Sequence, residues 1–216
     1  MKKKLFAIIL ASASFISLAQ ARFYLGVEGG YATQGLPMVQ ESGKGIETHT
    51  ISPKALGDLI KDGAKGYSLG VVFGTESFFG RYVGVRWGLG LGYSSTEKDL
   101  YNNGKKYEQE LKTFNSNLSL DLMINFINNG NFSFGVFGGV GAEYQYFTNV
   151  SNPNWHSLDF EGRVGLSTLL GGHHRVEVFA RLPFADLSSK YTQGDNNLFA
   201  YSTSKAVFGA SYKFVF

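Results

Sequence analysis

An apolar period of two, repeated along almost the whole chain, constrains this sequence more than any other feature. It is plain in the last segment, SKAVFGASYKFVF. There Ala206, Phe208, Ala210, Tyr212, Phe214 and Phe216 are apolar, and their neighbours include Lys205, Gly209, Ser211 and Lys213. Val207 and Val215 break the alternation. Successive side chains of a pleated strand point to opposite faces, so a period of two predicts a strand with one wholly apolar face.

Seven further segments read the same way. RYVGVRWGLGLGY sets Val83, Val85, Trp87, Leu89, Leu91 and Tyr93 against Gly84, Arg86, Gly88, Gly90 and Gly92. FNSNLSLDLMINF sets Phe114, Leu118, Leu120, Leu122, Ile124 and Phe126 against Asn115, Asn117, Ser119, Asp121 and Asn125. RFYLGVEGGYA, GYSLGVVFG, FSFGVFGGVGAEYQYF, SLDFEGRVGLSTLL and RVEVFARLPF complete a set of eight. The connections alternate in length. TESFFG, NNG and GGHH are short, whereas the segments after the first, third, fifth and seventh strands are long. That rhythm predicts an all-β fold, an eight-stranded antiparallel up-and-down transmembrane β-barrel with four long outer loops and three short periplasmic turns. Asn129-Gly130 and Gly171-Gly172 provide the positive-φ residues of tight hairpins.

Residues 1–21 read as a cleaved export signal, with Lys2, Lys3 and Lys4 ahead of a short apolar run and Ala19-Gln20-Ala21 as the cleavage site. The remaining 22–216 form one domain. Without the three leading lysines, seventeen Lys and Arg face seventeen Asp and Glu, so the basic balance belongs to the signal and no nucleic-acid partner is implied. The absence of cysteine excludes a disulfide scaffold and thiolate metal sites.

Which face meets lipid follows from the other stripe. It carries Glu28, Asp121, Glu143, Asp159, Glu161 and Glu177 against Arg86, Arg163, Arg175, Arg181, Lys205 and Lys213, interleaved with Gly, Ser and Asn. Six acids against six bases suit the narrow bore of eight strands, where charges fill the interior and pair. Glycine weakens water-facing strands, but it leaves room for long side chains from across a bore. On the apolar stripe Tyr31, Tyr67, Tyr93, Tyr144 and Tyr146 gather at the outer strand ends. Phe23, Phe73, Phe126, Phe132, Phe134, Phe214 and Phe216 gather at the inner ends, as two interfacial girdles would.

The terminal segment resembles the assembly signal of Gram-negative outer-membrane proteins, with Gly209, Tyr212, Phe214 and Phe216 matching and Val207 standing where that pattern has a polar residue. ARLPF and GASYKFVF are similar to the Helicobacter-type outer-membrane family. The resemblance implies insertion into the bacterial outer membrane, with lipid, lipopolysaccharide and the insertion machinery as partners. It also allows a host or environmental ligand at the loops.

No catalytic site is expected, and no metal or cofactor. His173 and His174 fall in an inner turn, and His49 lies in the first loop near Glu47. His156 adjoins Ser157, but strand neighbours face opposite ways. A short helix is predicted over 52–63, with Ser52 as cap, Pro53 in the first turn and Gly63 as terminator. The reading is a non-enzymatic barrel with a surface-interaction or envelope role, followed by a small pore and then a lipid A-modifying enzyme.

Overall fold

The computed structural model describes residues 21–36, 39–41, 47–102, 105–148, 156–188, 190–193, 196–200 and 204–216. The export-signal reading falls outside them except for Ala21, and so does most of the outer loop 148–155. Eight strands form the wall: β1 (Arg22–Gln34), β2 (Ala64–Phe79), β3 (Val83–Asn102), β4 (Lys105–Asn128), β5 (Phe132–Phe147), β6 (His156–Leu170), β7 (His174–Ser188) and β8 (Lys205–Val215). Each pairs antiparallel with the next, and β8 pairs with β1 from Tyr24 opposite Val215 to Gln34 opposite Lys205. The backbone N–H of Phe216 adds a last bond to the Phe23 carbonyl at 2.9 Å. The ring therefore has no free edge, as hydrocarbon surroundings demand. No helix among the described residues is long and apolar enough to cross a membrane.

Expected boundaries move, two of them far. TESFFG is not a turn: β2 continues to Phe79, and the reversal sits at Gly80 (φ 76°). The segment from Ser95 to Glu110, expected as a loop, extends β3 and β4 as a paired hairpin out to Asn102 opposite Lys105. Above the barrel the short strand Glu47–Thr50 pairs with the end of β7. Val39–Glu41, Lys190–Gln193 and Asn196–Ala200 form a small sheet joining the first outer loop to the last. Helix α1 (Pro53–Asp62) forms as expected. Ser52 Oγ accepts from Ala55 N at 3.2 Å, Gly63 N donates to Leu59 O at 2.9 Å, and Leu59 is buried.

Apolar side chains of alternating parity, among them Leu25, Leu69, Leu118, Val140, Val164 and Val178, lie exposed on the outer wall. Aromatics close that band at both ends. Tyr67 stands 6.5 Å from Tyr93, which packs 5.5 Å from Phe114, and Tyr31 pairs opposite Tyr67. At the other end Phe23 meets Phe216 at 5.6 Å, and Phe126 meets Phe134 at 6.2 Å.

The interior is laid out in cross-strand rows. One runs Arg22, Glu76, Arg86, Asp121, Gly139, Arg163, Arg181, Val207 and Ala32, each opposite the next. The row leaves β1 at Arg22 and returns at Ala32, ten residues further along, so the strands are strongly staggered as closure of a narrow barrel requires. On its periplasmic side runs an apolar row: Phe78, Gly84, Met123, Phe137, Gly165, Phe179, Gly209 and Gly30. Each ring in the row has a glycine beside it. A Cβ at Gly84 would lie 2.7 Å from the Phe78 ring, one at Gly165 2.6 Å from the Phe137 ring, and one at Gly209 3.0 Å from Phe179 Cζ. These glycines make room for inward rings, whereas Gly26, Gly139 and Gly141 leave space for the charged side chains of Lys213, Asp121 and Glu161. Val207 joins the cluster with Ala32, Met123, Phe137 and Phe179. That explains why an apolar residue stands at this lumen-facing position.

Candidate functional site: the filled bore and the outer mouth

Sequence parity turns every charged residue of the inner stripe toward the axis, and the row geometry decides which of them meet. Arg86 Nη2 lies 2.7 Å from Asp121 Oδ2 on the neighbouring strand, and Arg86 Nη1 lies 2.5 Å from Glu177 Oε1. Arg163 Nε reaches Asp121 Oδ1 at 3.1 Å, passing over Gly139. Lys213 also donates to Glu177, and Ser211 Oγ does so at 3.3 Å. Arg86 stacks 4.7 Å from the Phe137 ring, so the apolar row supports the charged one from beneath.

Nearer the outer mouth, Arg181 lies 3.3 Å from Glu28 and 3.5 Å from Glu143, and Lys205 Nζ lies 2.7 Å from Glu143. Glu161 sits 3.5 Å from Arg163. Asp159 accepts hydrogen bonds from Gln145 at 2.6 Å and Ser157 at 2.7 Å. Gln34 donates to Gln145 at 2.8 Å and extends the polar chain across the bore.

At the periplasmic end Arg175 donates to Glu76 at 2.9 Å and to Ser167 at 2.7 Å, and Arg22 donates to Glu76 at 2.7 Å. Glu76 and Asp186 are buried acids that sequence reasoning missed, and with them the buried acids outnumber the six expected. The signal was present: counted from Phe73, residue 76 keeps the inward parity of Ser68 and Gly74. Phe78-Phe79-Gly80 disguised the strand end as a turn.

All twelve expected lumen residues are buried or nearly so. Gly209, Tyr212, Phe214 and Phe216 lie on β8 and just beyond it. Tyr212 and Phe216 project outward, and His174 Nδ1 is 2.7 Å from the Tyr212 hydroxyl. His173 stacks on Phe214 at 5.5 Å. His156 is exposed against Tyr144, whereas Ser157 is buried and bonded to Asp159, so the two do not face each other.

The mouth is charged on its flank. A cleft of about 580 Å³ lies between the end of α1 and the β3–β4 hairpin, lined by Lys61, Asp62, Lys65, Glu97, Lys98, Asp99, Lys106 and Glu108. Lys98 Nζ donates to the Asp62 carbonyl at 2.5 Å and ties the hairpin to the helix. A hydrogen bond to Glu108, together with its charge, holds the Glu97 carboxyl above the ordinary range. Lys112 and Ser95 hold Glu110 below it. At the tip, Tyr101 is 74% exposed and Tyr107 54% exposed.

Among solved structures, the chain is similar to the outer membrane protein OprG from Pseudomonas aeruginosa, at 17% identity and a TM-score of 0.45, covering 88% of this chain and 95% of that one. It is similar to Neisserial surface protein A at 9% identity and 0.43, covering 90% and 97%. It is also similar to Ail, the attachment invasion locus protein of Yersinia pestis, at 12% identity and 0.34, covering 88% and 98%. No curated protein matches the sequence. The family described as Helicobacter outer membrane protein matches residues 70–216, which takes in most of β2 and all of β3 to β8. The chain is an outer-membrane β-barrel, and it belongs to the Helicobacter outer membrane protein family.

Proposed function

We propose that this barrel is a membrane anchor for a surface-binding mouth, with the β3–β4 hairpin as its main contact element for a host or environmental ligand. The observation that carries the reading is the contrast between the two ends of those strands. Within the membrane they contribute Arg86 and Asp121 to a bore crossed by buried ion pairs. Beyond it they run on as a hairpin whose tip presents Tyr101, Tyr107 and Lys106 to solvent. Exposed tyrosines beside charge suit binding at a wet interface, because each ring offers apolar area with a polar tip.

A pore is not favoured, since an eight-stranded interior is only wide enough for side chains and here they bridge it. An enzyme acting on outer-leaflet lipid is not favoured either, because His156 and Ser157 point apart. Lipid and lipopolysaccharide are the partners of the apolar wall, and Gly209, Tyr212, Phe214 and Phe216 are assigned to recognition by the insertion machinery.

The experiment replaces residues 99–108 by a two-residue turn. Cell or matrix binding by the intact protein in outer-membrane vesicles should fall, while heat-modifiable gel mobility is kept. Retained binding sinks the hairpin reading, and steady channels in planar bilayers would promote the pore.

A further inference from the structure

At the periplasmic end the interior opens into a recess of about 260 Å³, lined by Arg22, Phe78, Asn125, Asn128, Ser133, Leu169 and Arg175 with the turn glycines Gly80 and Gly130. Its lining holds two guanidinium groups and no carboxylate. Three of these side chains are more than nine-tenths buried and carry a polar atom without a partner: Asn125 Nδ2, Ser133 Oγ and Arg175 Nε. Two can only donate and the serine hydroxyl can donate.

Both arginines donate to the same oxygen of one carboxylate, Glu76 Oε1, so two guanidinium groups meet a single acid here, whose Oε2 is buried without a partner. The fold explains why these groups converge. Asn128, Ser133, Leu169 and Arg175 stand opposite one another in a single cross-strand row. A bulge between Asn125 and Ile127 sets Asn125 beside them.

A buried donor left unpaired costs about 1–3 kcal/mol, so three in one recess call for an acceptor that satisfies them together. An anion with several oxygens does so and also suits the two guanidinium groups. We propose that this recess binds a small oxyanion, a carboxylate or a phosphate group, presented from the periplasm. It is separate from the outer mouth and independent of what the hairpin contacts.

The test uses the full barrel in phosphatidylcholine nanodiscs, with the Arg175 Nε–H and Asn125 side-chain amide followed by NMR. Sodium phosphate and sodium acetate are titrated in separate arms against sodium chloride at matched ionic strength. A saturable shift of both groups with either oxyanion, absent with chloride, is the expected result, and the arm that responds identifies the chemistry. Asn125→Leu and Ser133→Ala, which spare the ion pairs, should each weaken binding by about tenfold, equivalent to about 1.4 kcal/mol. Unmoved resonances, equal shifts with chloride, or full affinity in both variants would overturn the assignment and leave the recess to water alone.

Discussion

Arg86 and Glu177 belong to strands four apart in a ring of eight, and their side chains meet across the full width of the bore at 2.5 Å. Both are almost fully buried. Replacing Arg86 leaves Glu177 and Asp121 short of a partner in a dry site, so Arg86→Ala should destabilise the barrel by about 3–5 kcal/mol. The urea midpoint in lipid vesicles measures this, and an unchanged midpoint contradicts a bore sealed by that bridge.

Gly88 tests the packing of rings over glycines. The nearest atoms to a Cβ placed there are the hydroxyl of Tyr24 and then Ser119 Oγ, both side-chain atoms. Tyr24 also donates to the Trp87 carbonyl at 3.1 Å. Gly88→Ala should cost about 1–3 kcal/mol by overpacking. In a Tyr24→Phe background most of that penalty should vanish, and a double-mutant cycle in vesicles reads the coupling. Additive effects would mean that the Tyr24 hydroxyl is not what the glycine accommodates.

The outer hairpin should respond to pH in two directions. A carboxyl held above its ordinary range, as Glu97 is by Glu108, adds stability at low pH and loses it as pH rises through the raised value. Glu110, held low by Lys112 at 2.7 Å, adds stability above its ordinary range and loses it as pH falls. Amide protection factors over residues 97–102 and 105–110, taken relative to the intrinsic exchange rate at each pH, should therefore be highest near the ordinary carboxylate range, roughly pH 4–5. Glu108→Gln should abolish the loosening on the alkaline side. A flat profile in the wild type disproves the hold of Glu108 on Glu97.

The Ser52 cap holds a helix that packs little against the barrel. Ser52→Ala should loosen α1 by about 1 kcal/mol, seen as faster exchange of the α1 amides. The vesicle urea midpoint should stay fixed, since α1 lies outside the wall. A fall in that midpoint would make the helix part of the cooperative unit.

What the sequence disclosed depended on contrast between surroundings. Inside the membrane each strand divides lipid from bore, so Val83 to Tyr93 and Phe114 to Phe126 announce both their conformation and their facing. Past Thr96 both faces turn wet, the period loses its cause, and Glu97 to Glu110 read as loop although they are paired strand. The inner row was concealed for another reason. Met123, Phe137, Phe179 and Val207 stand on the polar stripe and look like lapses in the pattern, and only registry across four strands joins them into a layer. Glu76 was hidden by its neighbours, because Phe78 and Phe79 end the alternation just where it matters.

The seam between β1 and β8 has a kinetic meaning. Its partners, such as Tyr24 and Val215, are separated by nearly the entire polypeptide, so the loop that must close is about as long as the chain permits. Until the final segment docks, the first strand keeps an unsatisfied ladder. Refolding should thus be limited by one late zippering event, and a product truncated before Lys205 should stay open and prone to self-association.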